Sequence, residues 1–183
     1  MPTISAIGSI ALGGGLELAL STHFRVLSSS AIIGLPETRL GIIPGAGGTH
    51  RLPALIGIGR ARDLVLTGRQ VSAPEAYFLG IADRLVEVTP ESEEELERLR
   101  GGDRAAAEKA LASARRDVLS EAVRLATEIC EGGPVAVRAA LQAVQRPHEE
   151  VENAMYDRVV RTEDRDEALK AFAEKRKPEF KGR

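Results

Sequence analysis

Ala11-Leu12-Gly13-Gly14-Gly15-Leu16-Glu17-Leu18-Ala19 sets three consecutive glycines directly before an apolar run that contains one acidic residue. Glycines let a backbone turn tightly and approach a ligand without Cβ interference. These lead into a short helix expected over Leu16 to Ser21, whose unpaired N-terminal N–H groups and dipole favour a developing negative charge. The N–H of Gly14 is therefore placed as an oxyanion donor, for instance to a thioester carbonyl becoming an enolate. Glu17, on the first turn of that helix, reads equally as a catalytic carboxylate or as a residue that complements the helix dipole.

Working outward, the next candidate is Gly34-Leu35-Pro36-Glu37-Thr38, where a proline-fixed turn presents a carboxylate after a short apolar strand. Taken alone, Glu37 reads as a surface-loop glutamate. It is followed by Gly41-Ile42-Ile43-Pro44-Gly45-Ala46-Gly47-Gly48-Thr49, a rigid turn and a flexible one before a helix that begins near Arg51. Backbone N–H groups in this turn could fix a carboxylate or a water. Two glutamates of different environment, flanked by glycine turns, make a general acid/base pair with an oxyanion hole. Addition of water to a conjugated thioester needs this set: one carboxylate takes a proton from water, another delivers one to the α-carbon, and a backbone donor holds the enolate oxygen.

The runs ALGGGLELA at 11–19 and GLPETRLGIIPGAGGTHRLP at 34–53 resemble the central segment of the crotonase superfamily, the enoyl-CoA hydratase/isomerase family. The likeness continues through Ala73-Pro74-Glu75-Ala76, Gly133-Pro134-Val135-Ala136 and Ala171-Phe172-Ala173-Glu174-Lys175-Arg176. It implies an α/β fold, a crotonase-like (ClpP/crotonase) spiral core of strands and helices, followed by helices that build trimers or hexamers. It implies an acyl-CoA substrate with coenzyme A as carrier and no metal or redox cofactor. By resemblance Glu17 activates water, Glu37 exchanges the α-proton, Gly14 supplies an oxyanion N–H, and Gly13 belongs to the same substrate-binding turn. Gly45 orients the water and Glu37, while Phe172 and Lys175 contact the CoA nucleotide of a neighbouring subunit. For those two, a buried aromatic and a solvated lysine are equally open readings. Keeping both glutamates favours hydration over double-bond isomerisation. The Glu37-to-Pro44 run and the Lys181-Gly182 pair resemble the methylglutaconyl-CoA hydratase branch of leucine breakdown. The resemblance also implies an N-terminally truncated core, without the upstream Ala/Gly-rich loop that supplies the second oxyanion N–H. The competing reading is therefore a non-catalytic subunit that docks on intact relatives.

The 183 residues include 43% hydrophobic and 28% charged, the balance of an ordinary globular chain. A net charge of −2 gives no electrostatic reason to expect nucleic acid or membrane as a partner. No apolar run reaches bilayer length, and the N-terminus has neither a signal-peptide nor a transit-peptide pattern. Relatives imply the mitochondrial matrix in a eukaryote and the cytoplasm otherwise. Cys130 sits in a helical stretch and reads as a buried structural thiol. His23 stands where the family commonly has aspartate and His50 where it often has glutamine, and the three histidines suggest no metal site. Gly45-Ala46-Gly47 and Gly57-Ile58-Gly59 begin like a dinucleotide fingerprint, but His50 and Arg62 replace its third glycine.

Strands are expected over Thr3 to Ile7, Phe24 to Leu27, Ala31 to Ile33 and Ile81 to Val88. Ser72 and Glu75 form a capping box ahead of a helix that stops at Gly80. The chain divides into a partial spiral core with the catalytic segment (1–88), a charged helical insertion (89–117) and a helical oligomerisation region (118–183). Its tail from Lys177 to Arg183 reads as frayed.

Overall fold

β-branched and alternating runs become short, mostly parallel strands that bring the two glycine-flanked glutamates to one edge. The computed structural model describes residues 1–90 and 92–183, so Glu91, where the charged stretch begins, lies outside the described residues. Two compact units form: Thr3–Val123, and Arg124–Arg183 with Met1–Pro2.

The first unit holds two three-stranded sheets. Strands β1 (Ile4–Ile7), β3 (Phe24–Ser28) and β6 (Arg84–Val86) run parallel in the order β1-β3-β6. Strands β2 (Ile10–Leu12) and β4 (Ile32–Gly34) pair parallel, and β5 (Gln70–Ser72) joins β4 antiparallel. Between and after them come helices α1 (Gly14–Leu20), α2 (Gly48–Ile56), α3 (Ile58–Thr67) and α4 (Ala73–Leu79), then α5 (Glu93–Arg100) and the start of α6 (Arg104–Cys130). Leu16, Leu20, Leu27, Ile33, Leu35, Leu52, Val71 and Ile81 make the centre of one apolar core. Aliphatic residues carry it almost alone, as a chain with only 3% aromatic residues and no Trp requires.

Three sequence expectations change in detail. The strand expected over Ile81 to Val88 is only Arg84–Val86, because the N–H groups of Ile81 and Ala82 both donate to the Ala76 carbonyl and close α4. The capping box is half made: Ser72 Oγ accepts the Glu75 N–H at 3.4 Å, but the Glu75 carboxylate turns to Arg69 at 2.8 Å. Charged residues 104–117 lie on a helix that continues unbroken to Cys130.

Arg25 is a deeply buried charge of this unit, at 3% exposure. Its guanidinium donates to the carbonyls of Ile81, Thr22 and His23 and pairs with Asp83 at 2.8 Å. Asp83 also accepts the Arg25 backbone N–H, so one carboxylate holds both ends of the residue. Burial pulls the guanidinium below its ordinary pKa, and the Asp83 charge opposes that shift. Next to it, His23 Nδ1 accepts the Thr3 N–H at 3.1 Å, a structural role.

In the second unit, α6 leads to α7 (Pro134–Gln145), α8 (Glu149–Val159) and α9 (Glu163–Ala173), with α7 packed on α8. Cys130 is exposed, contrary to the sequence reading. The inward positions near the end of α6 fall at Leu125 and the half-buried Ile129, and the next residue points about 100° away. The tail is anchored rather than frayed. Asp164, 5% exposed, accepts the N–H groups of Lys181 at 2.6 Å and Gly182 at 2.8 Å, and its own N–H donates to the Arg183 carbonyl. No helix among the described residues is long and apolar enough to cross a membrane.

Substituting Asp83→Ala leaves Arg25 buried without its counter-charge. Because Asp83 is itself a third exposed, the expected loss is about 2–3 kcal/mol, below that of a fully buried pair. It is read as a lower urea midpoint with an unchanged slope.

Candidate active site

Parallel pairing of β2 with β4, in the register Leu12↔Gly34, makes both strands end side by side. The segments that follow them, Gly13–Gly15 and Leu35–Glu37, therefore leave the sheet at the same edge, where parallel α/β sheets bind ligands. The Gly13 N–H donates to the Gly34 carbonyl at 2.9 Å and locks the two exits together. Gly13 is the N-cap of α1 with φ 55° and ψ −127°, a conformation that needs glycine. A Cβ there would also lie 3.2 Å from Glu37 Oε1, so the turn and the second glutamate are in contact.

Glu17 is 3% exposed among Leu16, Ala19 and Leu20. Its Oε1 accepts the N–H groups of Ala46 and Gly48, each at 2.8 Å. Charge-assisted bonds of this kind fix a carboxylate firmly. Gly48 makes the approach possible: a Cβ there would lie 2.9 Å from Leu35 Cδ1 and 3.0 Å from both Glu17 Oε1 and Pro44 Cβ. The turn between Pro44 and α2 thus acts as the carboxylate-fixing element expected from its glycines. Its donors are Ala46 and Gly48, which the sequence reading had not named, while Gly45 is exposed.

Glu37 opens a 3₁₀ turn, Glu37–Leu40, capped by Pro36. Read alone it looked like a surface-loop residue, yet it is 8% exposed. The reason lies far along the chain: Thr38 Oγ1 donates to the Val65 carbonyl and Arg39 Nε to the Thr67 carbonyl, pinning the turn to the end of α3. No local pattern could have found those partners. Glu37 Oε2 is buried and has no hydrogen-bond partner. A buried oxygen without a donor is costly and calls for an explanation at the level of function.

The start of α1 is therefore flanked by one carboxylate held by two backbone donors and one left without any. Gly14, the first residue of α1, is exposed, and a Cβ on it would meet nothing within 4 Å, so the backbone at this helix start is open to a ligand. Such a set can accept a proton, deliver a proton and stabilise an oxyanion. Phe172, 85% exposed on α9, and Lys175, just after it, belong to the other unit. No three His, Cys, Asp or Glu side chains among the described residues come together as a metal site.

Residues 1–106 match the family described as Enoyl-CoA hydratase/isomerase. The chain belongs to that family. It is 70% identical over 183 residues to methylglutaconyl-CoA hydratase 1, mitochondrial, of Pyricularia oryzae, covering 100% of this chain and 51% of that protein. It is 63% identical over 185 residues to an enoyl-CoA isomerase/hydratase of Zymoseptoria tritici, covering 100% of this chain and 56% of the relative. Its fold matches the crystal structure of an enoyl-CoA hydratase from Bacillus anthracis with a TM-score of 0.82 at 40% identity, over 100% of this chain and 63% of the other. The crotonase-like α/β fold is thereby shown, and the chain spans about half the length of the curated relatives it matches.

Gly48→Ala forces a methyl against Glu17, Leu35 and Pro44. It is expected to cost roughly 1–3 kcal/mol of stability and to break the Gly48 N–H bond, which a crystal structure of the variant would reveal as a displaced Glu17 carboxylate.

Proposed function

We propose that this family member hydrates trans-2-enoyl-CoA thioesters by syn addition of water, or catalyses the reverse dehydration. The observation that carries the reading is the buried Glu37 Oε2 without a partner beside a Glu17 that the backbone holds in place. Glu17 takes a proton from water as the water oxygen bonds to the β-carbon. The C=C electrons move onto the thioester oxygen, where the Gly14 N–H meets the negative charge. As the enolate collapses, Glu37 delivers a proton to the α-carbon, and solvent restores both carboxyl groups. Because the glutamates flank one helix start, they address one face of a planar substrate, which accounts for the syn course. The protein's side chains move only protons while the water oxygen adds to the β-carbon, and coenzyme A enters as the carrier of the acyl group.

The name of the Pyricularia relative supports a branched, methylglutaconyl-type substrate and a mitochondrial setting. Phe172 and Lys175, an exposed aromatic and a lysine at one helix end, suit the adenine and phosphate of CoA. Exposed apolar side chains such as Ile43, Leu66, Tyr77 and Phe78 support a trimer or hexamer that covers them.

The test is steady-state hydration of 2-butenoyl-CoA by the full-length protein and its Glu17→Gln and Glu37→Gln variants. Each substitution is expected to lower kcat about 10²–10⁴-fold with unchanged folding by circular dichroism. Full activity in Glu37→Gln overturns the role assigned to it. A wild-type protein without turnover that co-purifies with intact relatives supports a non-catalytic subunit instead.

A further inference from the structure

The turn that carries Glu37 also closes a helix to which Glu37 does not belong. A helix leaves its last carbonyls without partners inside it, and cations are favoured near them. α3 has no basic residue in its own last turn. Its carbonyls at Val65 and Thr67 are taken instead by the two residues after Glu37: Thr38 Oγ1 donates to Val65 at 3.0 Å and Arg39 Nε to Thr67 at 3.1 Å. Gly68, at φ 57°, ends α3 in the left-handed conformation. A Cβ on it would lie 3.1 Å from Arg39 Cγ and 3.2 Å from Thr38 Oγ1, so both side chains lie directly over the helix end. The next residues reach the other flank of the turn, since Gln70 pairs with Gly34 in the β4–β5 register. Arg69 fastens this corner by pairing with Asp63 on α3 at 2.9 Å and Glu75 on α4 at 2.8 Å. One corner, residues 65–70, therefore grips the chain both before and after Leu35-Pro36-Glu37.

That grip has an unfavourable contact to offset. Glu37 Oε2 is buried without a donor, which favours any rearrangement that swings the carboxylate out to water. We propose that Thr38 and Arg39 are positioning residues: by capping α3 they keep the Glu37 carboxylate folded inward, with Oε2 free for the substrate's α-proton. The inference rests on the hydratase reading above, which gives Glu37 that proton to move. Neither residue touches substrate, and both act through the backbone of the turn.

The experiment follows the full-length protein and its Thr38→Val, Thr38→Ser and Arg39→Met variants through two reactions. One is hydration of 2-butenoyl-CoA. The other is deuterium uptake at the α-carbon of butanoyl-CoA in deuterated water, where Glu37 removes an α-proton to give the enolate and, after exchange with solvent, returns a deuteron. Thr38→Val is expected to lower kcat and the uptake rate about 10–10²-fold each, with KM changed less than about twofold. Thr38→Ser keeps the hydroxyl and restores both rates. In a Glu37→Gln background, Thr38→Val lowers the residual hydration rate no further, because its effect runs through Glu37. If Thr38→Val does not fold, Arg39→Met, a change at an exposed side chain, carries the same comparison. Full rates in a folded variant, a raised KM at constant kcat, or an undiminished loss in the Glu37→Gln background overturns the proposal. A wild type inactive in both reactions ends the hydratase reading, and a crystal structure of the folded variant then decides the positioning by itself. A Glu37 carboxylate turned outward supports it, and one left in place overturns it.

Discussion

One oxygen atom, Glu17 Oε1, receives the backbone N–H groups of Ala46 and Gly48, and most of the site's geometry follows from that contact. It ties the first turn of α1 to the N-terminus of α2 across a stretch of chain with no regular structure between Gly41 and Gly47. Such a contact is favourable only where donors can come close. That closeness demands glycine at 48, with Leu35 and Pro44 packed against the same point. Glu37 is the complement of this arrangement. Its turn is held by Thr38 and Arg39, while its own Oε2 accepts nothing from the protein. One carboxylate is fixed by the protein, and the other is left for whatever enters.

Behind the site, parallel pairing does the placing. Because β2 and β4 run in the same direction and in register, two distant glycine-containing turns emerge together. The aliphatic core of Leu16, Leu20, Ile33, Leu35 and Leu52 holds that edge rigid from below. The neighbouring β1-β3-β6 sheet is tied by the buried Arg25, whose side chain closes onto three carbonyls and Asp83. Here a charge does the work of a plug: it satisfies backbone acceptors that the short strands leave open.

Much of this was legible in the residues. The three glycines before Glu17 and the Pro36–Glu37 turn carry their chemistry locally, and their combination pointed to the family that the comparisons then showed. Features set by distant partners were not legible. Glu37 looks like a loop glutamate until Thr38 and Arg39 find the carbonyls of Val65 and Thr67. Ile10–Leu12 and Gln70–Ser72 are too short to show a period of two, and they become strands only by pairing with Ile32–Gly34. The basic tail gave no sign of order, because its partner is the buried carboxylate of Asp164 on another helix. Arg25 showed no sequence signal for burial, since alternation along β3 suggests a solvent-facing charge and Asp83 lies far along the chain.

The central claim is that two carboxylates beside one helix start act on one face of one substrate. Its most direct test is hydration of 2-butenoyl-CoA in deuterated water, with the stereochemistry of the 3-hydroxy product read by proton NMR. The account predicts a single deuterium at the α-carbon, added to the same face as the β-hydroxyl. Deuterium on the opposite face, or an equal mixture of the two at early times, would contradict it.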